Sequence, residues 1–458
     1  MGGRRLVKSS VLALAACFAL AADTAPLPAP IDPADYIAFD ERRARLGRLL
    51  FYDKILSGNR NIACGTCHDH DHGTSDGLSL GAGEGASGLG RSRRFGTGRN
   101  APPKRVPRNA PALFNLGHAS VRTLFADGRV GFDDAPNGGA YGNGFSTPAE
   151  EWLPKGLTNL AAVQALFPMT SATEMGGQPH ENDVAAARRE RIDHVWPVVA
   201  RRVAAVPEYV ELFQDAFVGE VTGPGDVTMA RVATAIGDFV ISEWRSHDAP
   251  FDAHLAGDAT ALTAQQTRGM ALFYGPARCG TCHSGALFTD NAFHALALPP
   301  FGPGRTRAFD PYARDVGRMA ETDRLEDAYR FRTPSLRNVA LTAPYGHNGA
   351  YTTLTGIVRH HLDPLAALEA WDRAQVVLPD HAPFRDTDFA VWEDVREMAR
   401  LRARVDIRPV QLTDVEVADL VAFLHSLTGE TAATGRLGKP DRVPSGLPVD
   451  VLGDVPEP

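Results

Sequence analysis

The sequence predicts a mainly α-helical protein made of two similar helical domains with long loops. The pentapeptide Cys64-Gly65-Thr66-Cys67-His68 occurs a second time as Cys279-Gly280-Thr281-Cys282-His283. Each copy follows an apolar-aromatic triplet, Leu50-Phe51-Tyr52 or Leu272-Phe273-Tyr274, which ends a segment with helical spacing. The 458 residues include 44 Gly and 33 Pro, a content that favours long ordered loops between the helices.

The repeated pentapeptide has the form C-x-x-C-H, which is the attachment signature of c-type haem. Its two thiols add to the haem vinyl groups, and the adjacent histidine becomes the proximal ligand of the iron. A zinc site is the main alternative, but two thiols and one histidine leave a zinc tetrahedron one ligand short. We therefore expect two cytochrome c-like domains with one covalently attached haem each. The expected haem-binding residues are Cys64, Cys67 and His68 in the first domain and Cys279, Cys282 and His283 in the second.

The N-terminus has the pattern of a secretory signal. Three basic residues precede an apolar stretch, residues 11–22, that is too short to span a bilayer. Ala19-Leu20-Ala21 offers a cleavage site, which predicts removal of residues 1–21. Alternatively, Leu14-Ala15-Ala16-Cys17 resembles a lipoprotein box, in which Cys17 would become the lipidated first residue. We expect a periplasmic protein, which is held at a membrane only if Cys17 is lipidated.

Charge and cysteine usage agree with export. The formal net charge is −8 before any signal is removed, so the sequence offers no electrostatic basis for binding nucleic acid. An acidic surface could instead attract a basic electron-donor protein and speed its association. All cysteines other than Cys17 belong to the two pentapeptides, so we expect no disulfides.

The first domain is expected to cover residues 36–249. Residues 40–56 have helical spacing and lead into the first pentapeptide, whereas residues 69–108 and 128–158 are rich in Gly and read as loops. Helical patterns then cover residues 183–202, 207–217 and 227–244.

The second domain is expected to cover residues 250–438. Residues 251–257 are predicted to be a linker, and residues 263–274 a helix that feeds the second pentapeptide. Residues 413–428 form the last predicted helix, because Thr413 and Glu416 make a capping box before apolar residues that share one face. The Pro-rich tail, residues 439–458, has no helical pattern.

The residues around the pentapeptides resemble the bacterial dihaem cytochrome c peroxidase and MauG superfamily. The most specific segments are Arg332-Thr333-Pro334-Ser335-Leu336-Arg337-Asn338-Val339 and Leu341-Thr342-Ala343-Pro344-Tyr345-Gly346-His347-Asn348-Gly349. The resemblance runs from about residue 40 to residue 430. It implies that the C-terminal haem is a six-coordinate electron relay and that the N-terminal haem reacts with hydrogen peroxide.

For the relay haem, the resemblance implies His283 as the proximal ligand. The family takes the second ligand from a position seventeen residues after the proline of its Thr-x-Pro-Tyr motif, where peroxidases have Met and MauG has Tyr. Counted from Pro344, this position is His361, with His360 beside it. Both could instead be surface histidines of a helix. A bis-imidazole haem has a lower potential than a His/Met haem, which favours MauG-like chemistry.

For the peroxide-binding haem, the resemblance implies His68 as the proximal ligand and an open opposite side. The position of the distal histidine of the peroxidases, sixteen residues after the proximal one, is Glu84 here. His70 and His72 lie too close to the attachment site to reach over the far face easily, so we read them as loop residues or indirect donors.

The family also implies a distal glutamine and glutamate ten residues apart, which here are Gln164 and Glu174. Cleavage of the O–O bond needs a proton to move from one peroxide oxygen to the other, and a positioned carboxyl group can move it. The resemblance further implies a calcium ion between the domains, a hard cation that takes oxygen ligands. By position these ligands are Asn109, Thr342 and Pro344.

One departure from the family concerns the path between the haems. The bridging tryptophan that often precedes Asp-Gly-Arg is Ala126 in this chain, and Trp152 is the nearest substitute along the sequence. Trp371 and Trp392 lie in a long segment before the last helix. We interpret them as core residues of an inserted hairpin, although an exit route for oxidising equivalents is the alternative.

The sequence therefore predicts an exported dihaem oxidoreductase that uses hydrogen peroxide. The favoured function is MauG-like oxidation of an aromatic residue of a partner protein. The first alternative is a detoxifying peroxidase fed by a small cytochrome c or copper protein, and the second is a non-catalytic electron-transfer cytochrome.

Overall fold

The computed structural model describes residues 25–97, 101–305 and 314–451, so the expected signal segment and Cys17 lie outside the described residues. The α-helices are α1 Glu41–Tyr52, α2 Cys64–Cys67, α3 Leu160–Ala165, α4 Asp183–Arg188, α5 Val195–Ala204, α6 Pro207–Ala216, α7 Met229–Glu243, α8 Pro250–Leu255, α9 Ala264–Tyr274, α10 Met319–Thr322, α11 Leu354–Leu362, α12 Pro364–Glu369, α13 Ala390–Glu393, α14 Val395–Arg402, α15 Asp414–His425 and α16 Thr431–Thr434. Within the described ranges, no helix is both long and apolar enough to cross a membrane.

Short antiparallel strands lie within the loops between the helices. They are β1 Ala86–Ser87, β2 Arg94–Phe95, β3 Thr123–Leu124, β4 Val130–Phe132, β5 Phe145–Ser146, β6 Phe293–His294 and β7 Phe331–Arg332. They pair as β1-β2, β3-β4-β5 and β6-β7, with Phe293 opposite Arg332 in the last pair. The mainly α-helical class predicted from the sequence is confirmed.

The same helix crossing occurs in both halves of the chain. The helix that leads into each pentapeptide packs against a later helix, α1 against α7 and α9 against α15. Each crossing is centred on a glycine. A methyl group added to Gly47 would lie 1.8 Å from the carbonyl oxygen of Ala235, and one added to Gly269 would lie 1.9 Å from that of Asp419. The two backbones can therefore approach this closely only because these residues have no side chain.

Two predicted elements are wrong. The helix predicted over residues 183–202 is two helices, α4 and α5, because Pro197 is tolerated only in the first turn of a helix and α5 begins just before it. The predicted linker over residues 251–257 is largely helix α8. Pro250 opens that helix, and the carboxylate of Asp252 accepts a hydrogen bond from the amide of Ala249 at 3.0 Å.

The two largest clusters of buried hydrophobic side chains divide close to residue 250. The first runs from Leu46 to Trp244 and the second runs from Phe251 to Leu427, with a few later or earlier residues added to each. The domain boundaries at residues 36–249 and 250–438 stay a prediction, and this division of the core lies where they place it.

The described part of the tail, residues 439–451, has no helix but packs along the N-terminal half. The hydroxyl of Ser445 donates to the carboxylate of Asp53 at 2.7 Å, and Val443 is buried in the first core cluster. Near its end, the carboxylate of Asp450 pairs with Lys54 at 2.6 Å and accepts a hydrogen bond from the hydroxyl of Thr66 at 2.5 Å. The tail therefore reaches the first pentapeptide.

We predict that Gly269→Ala destabilises the protein, because the added methyl group would collide with a helix backbone that cannot move independently. We expect a loss of about 1–3 kcal/mol in the free energy of unfolding, measured by urea denaturation of the haem-loaded protein. Gly225→Ala is the matched control, since nothing lies within 4 Å of the added methyl group there. An equal loss of stability in both variants would contradict the close crossing.

Candidate functional site

Both pentapeptides open onto one internal cavity of about 2010 Å³. Its lining includes all four cysteines of the pentapeptides together with His68 and His283. Small-molecule sites usually measure about 300–1,000 Å³, so this cavity has room for two large planar cofactors.

A backbone carbonyl orients the histidine of each pentapeptide. Nδ1 of His68 lies 2.9 Å from the carbonyl oxygen of Thr74, and Nδ1 of His283 lies 3.0 Å from that of Phe288. Because a carbonyl oxygen only accepts, Nδ1 carries the proton in both rings and Nε2 keeps its lone pair. Metal-binding histidines are normally held in this way, so both residues fit the role of proximal iron ligand.

The four cysteines are free thiols rather than disulfides. Burial raises the pKa of the thiols of Cys64, Cys67 and Cys279 to about 12, so these groups are protonated. All three cysteines are partly buried and line the cavity. Two thiols and one oriented imidazole at each pentapeptide match the requirements of c-type haem.

His361 faces His283 inside the cavity. It lies near the end of α11, and its Nδ1 is 2.9 Å from the carbonyl oxygen of Ile357, which leaves Nε2 unprotonated. The centroids of the two imidazole rings are 6.1 Å apart. Metal–imidazole nitrogen bonds are about 2 Å long, so two imidazoles on opposite sides of one metal ion have ring centroids about 6 Å apart. The spacing fits an iron held between His283 and His361.

The neighbouring His360 has a different role, because both of its ring nitrogens are occupied. The hydroxyl of Tyr351 donates to Nδ1 at 2.8 Å, and Nε2 donates to the carbonyl oxygen of Leu296 at 2.7 Å. His360 is fully buried and does not line the cavity. Neither histidine of the pair is therefore a surface residue.

Glu174 and Gln164 line the same cavity as His68. Gln164 belongs to α3, and Glu174 lies on the π-helical turn Ala172–Gly176, a rare local geometry that is frequent at functional sites. Burial raises the pKa of Glu174 above its usual value, and the guanidinium groups of Arg129 and Arg305 partly offset this. The structure thus places the two predicted distal residues and the first proximal histidine on the wall of the same cavity.

Glu84 is buried but does not line the cavity. One oxygen of its carboxylate accepts hydrogen bonds from the side-chain amides of Asn59 at 2.7 Å and Asn61 at 2.8 Å. Its own amide donates to the carbonyl oxygen of Thr173 at 3.0 Å, which places it behind the turn that carries Glu174.

His70 and His72 also point away from the cavity. His70 lies between the hydroxyl of Tyr52 and the carboxylate of Glu243, and His72 pairs with Asp69 at 2.8 Å. Among the described residues of the N-terminal half that line the cavity, His68 is the only histidine.

The three residues expected to bind calcium all line the cavity. The amide nitrogen of the Asn109 side chain donates to the carbonyl oxygen of Leu78 at 2.6 Å, and its backbone amide donates to that of His347 at 3.0 Å. Asn109 is therefore held against the loop that carries Thr342 and Pro344. The calcium site itself stays a prediction.

The sequence reasoning missed a group of buried and half-buried arginines beside the cavity. Arg108 is paired with Asp127 and Asp315, whereas Arg332 donates to the carbonyl oxygens of Phe125 and Thr333. Burial lowers the pKa of Arg332 to about 10. A buried guanidinium bonded to carbonyl groups could hold an anionic group such as a haem carboxylate. The Asp-Gly-Arg and Arg-Thr-Pro motifs carried this signal in the sequence.

The place of the missing bridging tryptophan is not filled by Trp152. Ala126 lines the cavity, but Trp152 is 43 % exposed and stacks under the guanidinium of Arg191, 3.6 Å from its ring centroid.

A further group of possible metal ligands overlaps with the second pentapeptide. Ligand atoms of Cys282, Asp290 and His294 lie within 4.8 Å of one another. Because Cys282 is expected to be bonded to haem, we do not assign a separate metal site there.

Comparison with known proteins agrees with this geometry. Residues 41–260 match the family model described as di-haem cytochrome c peroxidase. The chain is 27 % identical over 391 residues to the methylamine utilization protein MauG of Methylorubrum extorquens, covering 85 % of this chain and 79 % of that protein. It is 26 % identical over 405 residues to the cytochrome c551 peroxidase of Pseudomonas aeruginosa, covering 88 % and 84 %.

A similar solved structure is that of a MauG-like protein associated with microbial copper homeostasis. The two chains are 26 % identical with a TM-score of 0.55, over 90 % of this chain and 95 % of the other. The chain thus belongs to the superfamily of dihaem cytochrome c peroxidases and MauG proteins, and it is an oxidoreductase enzyme of that superfamily.

Proposed function

We propose that the protein is an exported, MauG-like peroxidase that reduces hydrogen peroxide and oxidises an aromatic residue of a partner protein. Cys64, Cys67 and His68 would hold the first haem covalently, and Cys279, Cys282 and His283 the second. When bound, the haem irons supply the redox chemistry of this reaction.

One observation carries the proposal: the cavity beside His68 is lined by the half-buried carboxyl group of Glu174 and by no second histidine from the described N-terminal half. The distal position of the peroxidases is Glu84, whose carboxylate is directed at Asn59 and Asn61. Peroxide would then find an accessible site without a prior reduction step. This supports the MauG-like reading over the detoxifying one.

The chain's own residues would move the proton. Glu174 takes a proton from one oxygen of hydrogen peroxide and delivers it to the other, which leaves as water. A raised pKa suits this task, because a carboxyl group that both takes and gives a proton works best when its pKa is near the working pH. The side-chain amide of Gln164 would donate a hydrogen bond to the bound oxygen.

The second site would serve as the partner in electron transfer. With His283 and His361 on either side, its haem would have two imidazole ligands and hence a lower potential than with His and Met. A low reduction potential would stabilise the oxidised form of this second haem. A calcium ion bound by the side-chain oxygen of Asn109 and the carbonyl oxygens of Thr342 and Pro344 would stiffen the region between the sites.

We predict that Glu174→Gln slows the reaction of the oxidised protein with hydrogen peroxide by a factor on the order of 10²–10⁴, since the amide cannot shuttle the proton. Stopped-flow absorbance of the haem measures the rate. Glu84→Gln is the matched control, because it changes a buried carboxylate of the neighbouring loop that does not line the cavity. A rate unchanged in Glu174→Gln would remove this residue from the mechanism.

Replacing the second ligand should change the second haem alone. We expect His361→Ala to abolish the low-spin, six-coordinate signal of that haem in electron paramagnetic resonance spectra. His194→Ala is the control, because this histidine lies on the surface and pairs with Glu190 at 2.9 Å. If the low-spin signal persists in His361→Ala, another residue binds the iron.

Steady-state turnover separates the proposed function from its alternatives. We expect slow oxidation of reduced cytochrome c by peroxide, and gain of oxygen by a Trp or Tyr of an exported protein encoded next to this one when the two are co-expressed. Brisk turnover with cytochrome c would contradict the MauG-like function. Two low-spin irons and no reaction with peroxide would indicate an electron-transfer cytochrome instead.

A further inference from the structure

Trp371 and Trp392 form a pair of tilted rings in contact, in the segment between α11 and α15. Their ring centroids are 4.8 Å apart, at an interplanar angle of 55°. The chain has five tryptophans, all within the described residues, and these two are the only ones whose rings contact each other. Core packing explains one buried tryptophan, but it does not require two indoles in contact.

The inner member of the pair lies directly behind the cavity wall. Trp371 is buried, and its ring is parallel to that of Phe301 within 14°, at a centroid distance of 5.9 Å. Phe301 lines the cavity. The indole nitrogen of Trp371 donates to the carbonyl oxygen of Ala350 at 2.9 Å, which fixes the ring beside the loop that carries Tyr345.

The outer member reaches the surface. Trp392 lies on the short helix α13 and is partly exposed. Three residues later, at the start of α14, Val395 is 82 % exposed. A path of aromatic rings therefore runs from the cavity through Phe301 and Trp371 to Trp392 and the solvent.

Indole is one of the two side chains most easily oxidised by one electron. Electron tunnelling slows steeply with distance, so an oxidisable ring placed between a buried site and the surface replaces one long step by two short ones. The other tryptophans lack this arrangement. Trp196 is buried away from the cavity and donates to the carbonyl oxygen of Leu166 at 3.0 Å, and Trp152 does not line the cavity. Trp244 packs against the cavity-lining Phe51, but it is buried and contacts no second indole among the described residues.

We propose that Trp371 and Trp392 are a relay that carries single electrons from the protein surface to the haem cavity. The proposal rests on the proposed function, because the reaction with peroxide supplies the oxidant. Trp371 gives one electron to the oxidised cofactor, and Trp392 then gives one electron to Trp371. The indole N–H proton of oxidised Trp392 passes to water. An external one-electron donor reduces Trp392, which takes a proton back from water.

A photo-oxidant fixed beside Trp392 tests the relay without peroxide. In Val395→Cys the new thiol is the one available for labelling, since the other four cysteines of the described residues are held by haem in the loaded protein. A ruthenium polypyridyl complex attached there is excited by a laser flash in protein with reduced haems, and a soluble quencher such as hexaammineruthenium(III) takes one electron from the excited complex. The resulting ruthenium(III) is the oxidant, and haem oxidation is followed by absorbance.

In this labelled protein, we expect Trp371→Phe and Trp392→Phe to slow haem oxidation by at least about tenfold. Trp196→Phe is the matched control, because it replaces a buried indole that also donates to a backbone carbonyl, and it should leave the rate unchanged. The variant Trp371→Tyr separates an effect of lost packing from an effect of lost redox activity. Phe and Tyr fill similar space but only Tyr is readily oxidised, so Tyr should restore part of the rate. Equal rates in all these proteins would overturn the relay.

The second readout is oxidation of the protein itself when peroxide is added without an external electron donor. After treatment of the loaded protein, we expect peptide mass spectrometry to find added oxygen on Trp392, and Trp371→Phe to lose this modification while Trp196→Phe keeps it. If peroxide leaves the haem spectrum unchanged, the proposed function fails, and the photo-oxidant experiment still decides the relay. If the haem reacts and Trp392 stays unmodified in every protein, the relay is wrong.

Discussion

The orientation of two imidazole rings by backbone carbonyl oxygens underlies the chemistry of this protein. In the bonds from His68 to Thr74 and from His283 to Phe288, the proton is confined to Nδ1 and the lone pair of Nε2 is presented to the cavity. A ring free to rotate or to change tautomer could present a protonated nitrogen to the metal and so fail to bind it. The helix crossings at Gly47 and Gly269 place each pentapeptide, and the carbonyl bond then sets the direction of its histidine.

From this common frame the two halves diverge through a few side chains. The second half supplies a facing imidazole from α11, and Tyr351 and Leu296 engage both nitrogens of the adjacent His360. In the first half, the π-helical turn supplies a carboxyl group, and Glu84, at the position of the distal histidine of the peroxidases, is bound by two asparagines. The backbone architecture is thus duplicated, while the chemistry of the two ends of the cavity is set by local hydrogen bonds.

Much of this could be predicted from the sequence, because the relevant signals are local. The two pentapeptides, the helices that precede them and the capping box of Thr413 and Glu416 are all patterns within a few residues, and α1, α9 and α15 follow them. The break between α4 and α5 was missed because apolar spacing on both sides outweighed a single proline. Helix α8 was missed because a short segment after a proline also resembles a linker.

The remaining features depend on contacts between distant parts of the chain. Which of His360 and His361 faces the cavity is decided by Leu296, and the environment of Arg332 is decided by Phe125, more than 200 residues away. Residues 364–402, which carry the tryptophan pair, are fastened to the N-terminal half by the buried pair of Arg105 and Asp388 at 2.7 Å. No spacing pattern in the sequence indicates which distant residues will be in contact.

The docking of the last residues has a consequence for handling the protein. Asp450 bonds Thr66 in the first pentapeptide, whereas the equivalent Thr281 of the second is exposed and bonds the carbonyl oxygen of Arg278. Ribosomes make Asp450 nearly 400 residues after Thr66, so during biosynthesis this pentapeptide stays uncovered while the intervening chain is made. A proteolytic cut near residue 438 would consequently uncover the early pentapeptide and leave the late one unchanged.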